Sequence, residues 1–317
     1  MNGRNFKGQS MTFGVDRSVC TWGRRAGRRW PAALGAVAIG LLSWPALAQD
    51  GSAYLATQEM GSAQAFELYA VFSELNFSSI SQDNSVAHPV SSRNTGLRVG
   101  AVFAAASLNS VIVPSVTVNG ISGSTTNPFA TIDTTGRAVG ADIFASYVLN
   151  ENVDLTAGAG VSIGRNELTF NGGAVPSVTN LQTYFASLGL GYVLYRNERL
   201  TVRLGDQLTV GYTHADYDPL NSVDESSART LENRLSLSAV YDLTDATTLD
   251  ADISLVNLIV AQQLEAENPP DRTYGLVSLG ISHEVADNIT VYGRGSVVAG
   301  GTRSGSVLGQ IGIRTRF

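Results

Sequence analysis

Lysine and cysteine are almost absent from this chain. Each occurs once among the 317 residues, as Lys7 and Cys20, and only 15% of all residues are charged. That fraction is well below the roughly 25% usual in soluble domains, which argues against a charged linker or a nucleic-acid-binding tail. A single cysteine excludes a disulfide framework and a zinc site built from several cysteines.

Long apolar runs and short repeats are also missing. After Gln49 no apolar run approaches the roughly 18 residues that a transmembrane helix needs. The 33 glycines follow no three-residue period, which excludes a collagen-like chain. Beyond its first 48 residues the sequence therefore fits neither a helical membrane protein nor a collagen-like fibrous one.

The first 48 residues are predicted to be a cleaved signal peptide. A basic run at 24–29 precedes an apolar stretch at 30–47, which ends on Ala46-Leu47-Ala48. Basic, apolar and A-x-A regions in this order are typical of secreted proteins. A transmembrane anchor is the alternative, but Pro31 and Pro45 interrupt the apolar stretch. The paired arginines leave twin-arginine export open beside the ordinary secretory route.

Removal of this leader makes the protein strongly acidic. Seven of the 21 Lys and Arg residues and one of the 27 Asp and Glu residues lie in it. The remainder holds 14 basic and 26 acidic residues, with a net charge of −12 and no cysteine. An exported protein of this acidity is not expected to bind nucleic acid.

The rest of the chain alternates between apolar and small polar residues. Residues 153–164 place Val, Leu, Ala, Ala, Val and Ile on one face and Asp, Thr, Gly, Gly, Ser and Gly on the other. This period of two is typical of half-buried β-strands. Tilted strands need about 9–11 residues to cross a bilayer, whereas soluble strands average about 5–6. Twelve mostly long segments are predicted: 65–77, 95–106, 110–121, 136–148, 153–165, 180–195, 199–214, 230–242, 247–260, 273–284, 288–298 and 306–317.

The predicted connections alternate between short and long. The longer, polar ones are 78–94, 122–135, 166–179, 215–229, 261–272 and 299–305. Outer-membrane barrels have short periplasmic turns and longer external loops. We therefore predict an all-β fold over 65–317, a transmembrane antiparallel up-and-down barrel of about 12 strands in the bacterial outer membrane. Residues 49–64 would form a short N-terminal segment that either lies in the lumen or is disordered.

The alternation also assigns a lipid face and a lumen face to each strand. Two residues conflict with it. Asp206 has the parity of lipid-facing residues unless a bulge beside Gly205 turns it inward, and Pro114 interrupts the third strand. We predict that Arg–Asp pairs stabilise a narrow or plugged lumen. The charged residues of inward parity are Arg98, Asp142, Asp154, Arg203, Arg234, Asp250, Asp252, Arg294, Arg314 and Arg316.

The last segment resembles the closing strand of autotransporter β-domains. Its sequence is Gly-Gln-Ile-Gly-Ile-Arg-Thr-Arg-Phe at 309–317, and the Val-Tyr-Gly-Arg run at 291–294 is similar to their penultimate strand. The Gly- and Tyr-rich segments 136–149 and 189–195 resemble their hairpins. The resemblance covers about 95–317 and implies a twelve-stranded translocator-type barrel. Because only 49–63 precede the first predicted strand, it implies no self-secretion of a large passenger.

The chain also ends on an alternating apolar set with a terminal aromatic residue. Val307, Ile311, Ile313 and Phe317 share one face. This arrangement looks like the C-terminal signal that the barrel assembly machinery reads. Expected partners are therefore this machinery and periplasmic chaperones during biogenesis, and outer-membrane lipid and lipopolysaccharide afterwards.

Few residues indicate chemistry. The G-x-S-x-G match at 160–164 lies within a predicted strand, whereas a nucleophile elbow needs a strand-to-helix turn. His88, His214 and His283 are predicted to lie far apart, and the acidic residues at 216–225 lack the spacing of a calcium loop. We expect no enzyme activity, cofactor or metal.

The predicted function is a structural or surface-interaction role. The alternative is a porin-like channel for small polar solutes or ions. An outer-membrane hydrolase is a third class, which the scarcity of histidine disfavours.

Overall fold

A computed structural model shows the chain as a closed antiparallel β-barrel. The residues that it describes are 67–84, 88–105, 108–127, 130–170, 177–217, 226–262, 272–300 and 305–317. The predicted signal peptide and the segment 49–64 lie outside these described residues.

Twelve strands form the barrel, as the alternation predicted. Each strand pairs with its neighbours in sequence, and β1 pairs with β12 to close the sheet. The strands are β1 (Glu67–Asn84), β2 (His88–Ala105), β3 (Ser110–Asn127), β4 (Ala130–Asn150), β5 (Val153–Phe170), β6 (Ser177–Arg196), β7 (Leu200–Tyr217), β8 (Ser226–Thr244), β9 (Thr247–Gln262), β10 (Thr273–Ala286), β11 (Ile289–Ala299) and β12 (Val307–Arg316).

The strands extend further than predicted at one end. The predicted loop 78–94 is largely strand, because β1 and β2 pair out to Asn84 and His88. The predicted loop 122–135 likewise holds paired residues of β3 and β4 out to Asn127 and Ala130. Both faces of these segments are polar, so the alternation that reveals a half-buried strand is absent there. The short turns lie at the opposite end, which is the periplasmic end in outer-membrane barrels; we call the other end external.

An apolar belt covers the outside of the barrel. Residues predicted to face lipid, such as Val139, Ile143 and Ile253, are exposed, whereas their inward neighbours Ser146 and Ser254 are buried. Exposed leucine, isoleucine and valine side chains occur on all twelve strands. Soluble monomers rarely expose contiguous apolar patches above a few hundred Å². The belt therefore identifies the barrel as one that lies in a membrane.

No helix within the described residues is both long and apolar enough to span a membrane.

Asp206 stays on the lipid face, so the bulge considered at Gly205 is absent. The register of β7 is continuous there, and Asp206 lies opposite Leu190 and Leu235. Its Oδ1 accepts a hydrogen bond from Nδ2 of Asn233 at 2.6 Å. Pairing with a neighbouring amide lowers the cost of an outward carboxylate without a change of register.

Pro114 leaves the third strand in place and breaks the ladder on one side only. It pairs with Ile143 of β4, but the pairing of β3 with β2 is interrupted beside it, between Ser115 and Ile112. Proline has no N–H to donate, so the missing bond falls on the side where that donor would be needed.

Some lumen-facing aromatic rings lie flat over glycines of the next strand. The ring of Tyr292 on β11 covers Gly312 on β12, where an added Cβ would lie 2.5 Å from the tyrosine hydroxyl oxygen. Phe185 covers Gly160 on β5 in the same way. At these positions the absence of a Cβ allows close approach between ring and backbone.

Replacing Gly312 with alanine is expected to destabilise the barrel by about 1–3 kcal/mol, because the buried ring of Tyr292 or the strand itself must move. Gly295→Ala on β11 is the control, since a Cβ there meets no atom within 4 Å. Urea titration monitored by heat-modifiable gel mobility compares the two variants. Equal urea midpoints for the two variants would show that the position of the Tyr292 ring does not require a glycine at 312.

Candidate functional site

The lumen gathers most of the charged residues that were predicted to face inward. Eight of the ten form four Arg–Asp pairs between strands. The pairs are Arg98 with Asp142 at 2.9 Å, Arg203 with Asp154, Arg234 with Asp252 at 3.0 Å, and Arg294 with Asp250 at 3.6 Å. Each arginine therefore has a neutralising carboxylate on a different strand, as buried charges require.

Arg98 on β2 is the centre of the largest cluster. Only 1% of it is exposed, and its guanidinium donates to Asp142, to Ser115 Oγ at 2.8 Å and to Glu74 Oε2 at 3.5 Å. Ser115 Oγ in turn donates to the same Asp142 oxygen at 2.6 Å. The fork of the guanidinium thus joins β1, β2, β3 and β4 from inside the barrel.

Two phenylalanine rings complete the surroundings of this arginine. The guanidinium carbon of Arg98 lies 5.3 Å from the ring centroid of Phe72 and 5.9 Å from that of Phe144. Both rings belong to an apolar cluster that also contains Val111 and Val113. Cation–π attraction and apolar packing therefore act on a charge that is already paired.

Glu74 on β1 is a buried lumen charge that the sequence reasoning missed. It is 2% exposed, and its Oε1 accepts a hydrogen bond from the Tyr292 hydroxyl at 2.7 Å. Tyr292 lies on β11, so this bond spans β12 and crosses the closure of the barrel. The same alternation would have placed Glu74 inward, between Phe72 and Asn76, had it been applied to the first strand.

Arg314 and Arg316 are the two predicted lumen residues outside the four pairs. Arg314 on β12 is buried in the lumen. Arg316 lies near the periplasmic end, where it pairs with Glu284 of β10, an acid that the sequence reasoning did not assign. This ion pair links the C-terminal strand β12 to β10, which is not its neighbour in the sheet.

A cavity of about 130 Å³ occupies the middle and the periplasmic half of the lumen. Charged residues of both signs from several strands line it, together with apolar side chains. The charged lining residues include Asp154, Arg203, Arg234, Asp250, Asp252 and Arg294.

Along β1–β6, the described side chains that point into the external half of the lumen are neutral, and several of them are buried. Asn166 is 1% exposed and Thr179 is fully buried, although both point into the barrel. Asn94 and Asn119 are also buried there. Side chains that face a wide open pore would be solvated, so this part of the lumen does not have the wall of a wide open pore.

The candidate catalytic residues do not come together. Ser162 of the G-x-S-x-G match lies in the middle of β5. His214 Nε2 lies 2.8 Å from Asp216 Oδ1 near the external end, whereas His283 Nδ1 contacts Thr247 Oγ1 at the periplasmic end. Within the described residues, no three His, Cys, Asp or Glu side chains are arranged to hold a metal. The side chain of His88 and the acids at 218–225 lie outside the described residues.

The residues of the predicted assembly signal share the outer surface of β12. All four are exposed on the lipid side: Val307, Ile311, Ile313 and Phe317. The backbone N–H of Phe317 donates to the carbonyl of Tyr69 at 3.0 Å, which places the chain end beside β1. Recognition by the assembly machinery remains a prediction.

Replacing Arg98 with methionine is expected to cost about 3–5 kcal/mol, because Glu74 and Asp142 would stay in the lumen without their counter-charge. Adding Glu74→Gln and Asp142→Asn should recover part of the loss. Arg199→Met on an exposed turn is the control and should change stability by less than about 0.5 kcal/mol. Urea unfolding followed by far-UV circular dichroism measures each variant. A loss no larger than that of the control would refute the role of the cluster.

By sequence, no family model and no curated relative matches the chain. By structure, it is similar to the translocator domain of the autotransporter NalP from Neisseria meningitidis, with a TM-score of 0.64, 14% identity, and 89% of this chain and 99% of that chain covered. It is similarly close to the transport unit of the autotransporter AIDA-I from Escherichia coli, with a TM-score of 0.64, 14% identity, and coverage of 84% and 96%.

An outer-membrane channel from Pseudomonas putida F1 is less similar, with a TM-score of 0.53, 13% identity, and coverage of 82% and 99%. These identities establish the fold alone. The chain therefore has the outer-membrane barrel fold of autotransporter translocator domains, as the resemblance of its last two strands predicted.

Proposed function

We propose that the protein is a bacterial outer-membrane barrel that displays its external hairpins at the cell surface and keeps its lumen closed to solutes. The observation that carries this proposal is the near-complete burial of side chains that point into the barrel. Arg98, Asn166 and Thr179 are at most 1% exposed, although each lies on a lumen face. A barrel used for passage would leave such residues in contact with water.

The external hairpins are the second support for a surface role. β4 begins at Ala130, but its outward apolar run begins only at Val139. At about 3.3 Å per residue, roughly 30 Å of strand precedes the lipid-facing part. Serine and threonine are frequent in this part of β3 and β4. These paired strands form an extended surface rich in hydroxyl-bearing residues, which suits contact with other molecules.

The channel remains the second candidate, and the cavity favours it. The cavity, whose lining includes Asp154, Arg203 and Arg294, would suit small polar solutes if a path through the external half opened. A catalytic role has less support, since His214 and His283 lie near opposite ends of the barrel and therefore do not act at one site.

The proposed partners follow from the outer surface. The apolar belt contacts membrane lipid, and the outward side chains of β12 offer the assembly machinery an exposed apolar edge ending on Phe317. Periplasmic chaperones would shield the same apolar surface before insertion.

Planar bilayer recording with the refolded protein tests the closed lumen. We expect no large, steady conductance from samples that show heat-modifiable mobility, because inward side chains of β2–β6 in the external half of the lumen are buried. A steady open level that changes its ion selectivity in Asp250→Asn would favour the channel instead, since Asp250 lines the cavity.

Shortening one hairpin tests the surface role. Replacing 82–90 with Asn-Gly closes β1 and β2 directly beyond the pair Ser81–Ser91, which keeps the register. Cells that make this variant should lose most of the protein-dependent aggregation and surface adhesion, with solute uptake unchanged. Asn-Gly at 128–129 is the control, because it replaces the two residues between the paired Asn127 and Ala130 without shortening a hairpin. Altered uptake with unchanged adhesion would contradict the proposal.

A further inference from the structure

The outer surface changes from apolar to basic between two successive rows of residues on β2–β5. We call a row of residues that lie opposite one another on neighbouring strands a rung. One rung is apolar, and its members are 48–62% exposed: Leu97, Val118, Val139 and Ile163. The next rung toward the external end consists of Thr95, Gly120, Arg137 and Arg165.

This boundary fixes the depth of the two arginines in the membrane. Val139 and Ile163 are the last lipid-facing residues of β4 and β5 before the polar segments begin. Side chains one rung further out therefore lie where hydrocarbon gives way to lipid headgroups. Any molecule bound there can have apolar chains below the arginines and a polar group level with them.

Arg137 and Arg165 are also an unfavourable pair as they stand. They lie directly opposite each other on β4 and β5, and like charges in this position repel. Arg165 has an exposed contact with Glu167 at 3.5 Å, but Arg137 has no ion pair with any described residue. An anion between the two guanidinium groups would turn the repulsion into attraction, and guanidinium groups bind phosphate oxygens with paired hydrogen bonds.

A third arginine lies close to the pair. Arg93 on β2 is exposed in the following rung, opposite Ser122 on β3. With strands about 4.8 Å apart, the basic surface from β2 to β5 is roughly 14 Å wide. Its centre is low, because Gly120 has no side chain and Ser122 has a small one. The shape is a shallow saddle with arginines on both sides.

Acidic residues lie on the external side of this surface and beyond its β5 edge. Glu167 lies in the same rung as Arg93, and Asp133 lies one rung further out. Asp216 on β7 lies in the rung of Arg137, three strands away from it. On β2–β5 no acid occupies that rung or the apolar rung below it, so the excess positive charge there is directed toward the membrane boundary.

We propose that Arg137, Arg165 and Arg93 bind the phosphate groups of an anionic glycolipid of the outer leaflet, with the headgroup seated over Gly120. Arg137 and Arg165 hold one phosphate, Arg93 holds a second, and the acyl chains lie against Val139 and Ile163. The inference rests on the proposed placement in the outer membrane. It adds a defined lipid site on one side of the barrel, at β2–β5.

Titration in neutral detergent micelles tests the site. The probes are bisphosphorylated lipid A, its dephosphorylated form and inorganic phosphate, and native mass spectrometry measures the bound fraction. We expect the refolded barrel to bind the bisphosphorylated lipid at least tenfold more tightly than the dephosphorylated one. Inorganic phosphate should compete only weakly, because it lacks the apolar chains. Equal affinity for both lipids, or full competition by inorganic phosphate, would overturn the proposal.

Two variants separate charge from shape. Arg137→Gln with Arg165→Gln should weaken lipid binding by about tenfold or more, because two charge-assisted contacts are lost. Gly120→Leu keeps all three arginines and should weaken binding by filling the saddle. The glycine tolerates a side chain, since an added Cβ would lie 3.8 Å from Thr95 Oγ1, an ordinary contact.

Matched controls are Arg199→Gln on an exposed turn and Gly295→Leu on β11, where an added Cβ is also unobstructed. Both should bind as the unaltered protein does. Binding by the double arginine variant at the original affinity would refute the site. Unchanged binding by Gly120→Leu would refute the seating over the glycine. Heat-modifiable mobility and closed-lumen recordings of the same samples show separately whether the barrel and its proposed function are intact.

Discussion

Every backbone amide and carbonyl that enters lipid needs a hydrogen-bond partner, because the hydrocarbon core offers no water. A sheet meets this requirement only when its two edge strands pair with each other. In this protein β1 and β12 do so from Ala70–Arg316 to Ser79–Val307. The remaining features follow from that closure: the outer face must be apolar, and polar side chains are directed inward.

The closed sheet creates its own electrostatic problem. Charged residues that cannot face lipid are collected in a lumen where unpaired charge is expensive. The structure resolves this with pairs between strands, of which Arg98 with Asp142 and Arg234 with Asp252 are the most deeply buried. Such pairs contribute little net stability by themselves. Their effect is to make one arrangement of strands far better than arrangements that separate the partners.

The architecture was largely predictable, because lipid on one side and lumen on the other impose a strict period of two. The same rule brought eight predicted charges together, although it could not state which partner each would choose. The rule failed where both faces of a strand are polar, as in the hairpins whose first strands end at Asn84 and Asn127. Glu74 and Tyr292 meet across 218 residues of sequence, and only the closure of the barrel brings them together. Asp206 faces lipid, which shows that a hydrogen bond from a neighbouring side-chain amide can outweigh the rule that charged residues face the lumen.

The bond between Tyr292 and Glu74 has a consequence for the order of assembly. β11 and β12 are the two shortest strands, with 11 and 10 residues, so their ladders are short. The tyrosine passes over Gly312 and reaches the strand beyond, so that β12 lies beneath a side-chain bridge. The bridge can form only after β12 is seated. Once formed, it opposes strand exchange, in which the end of one barrel would be replaced by the edge of another.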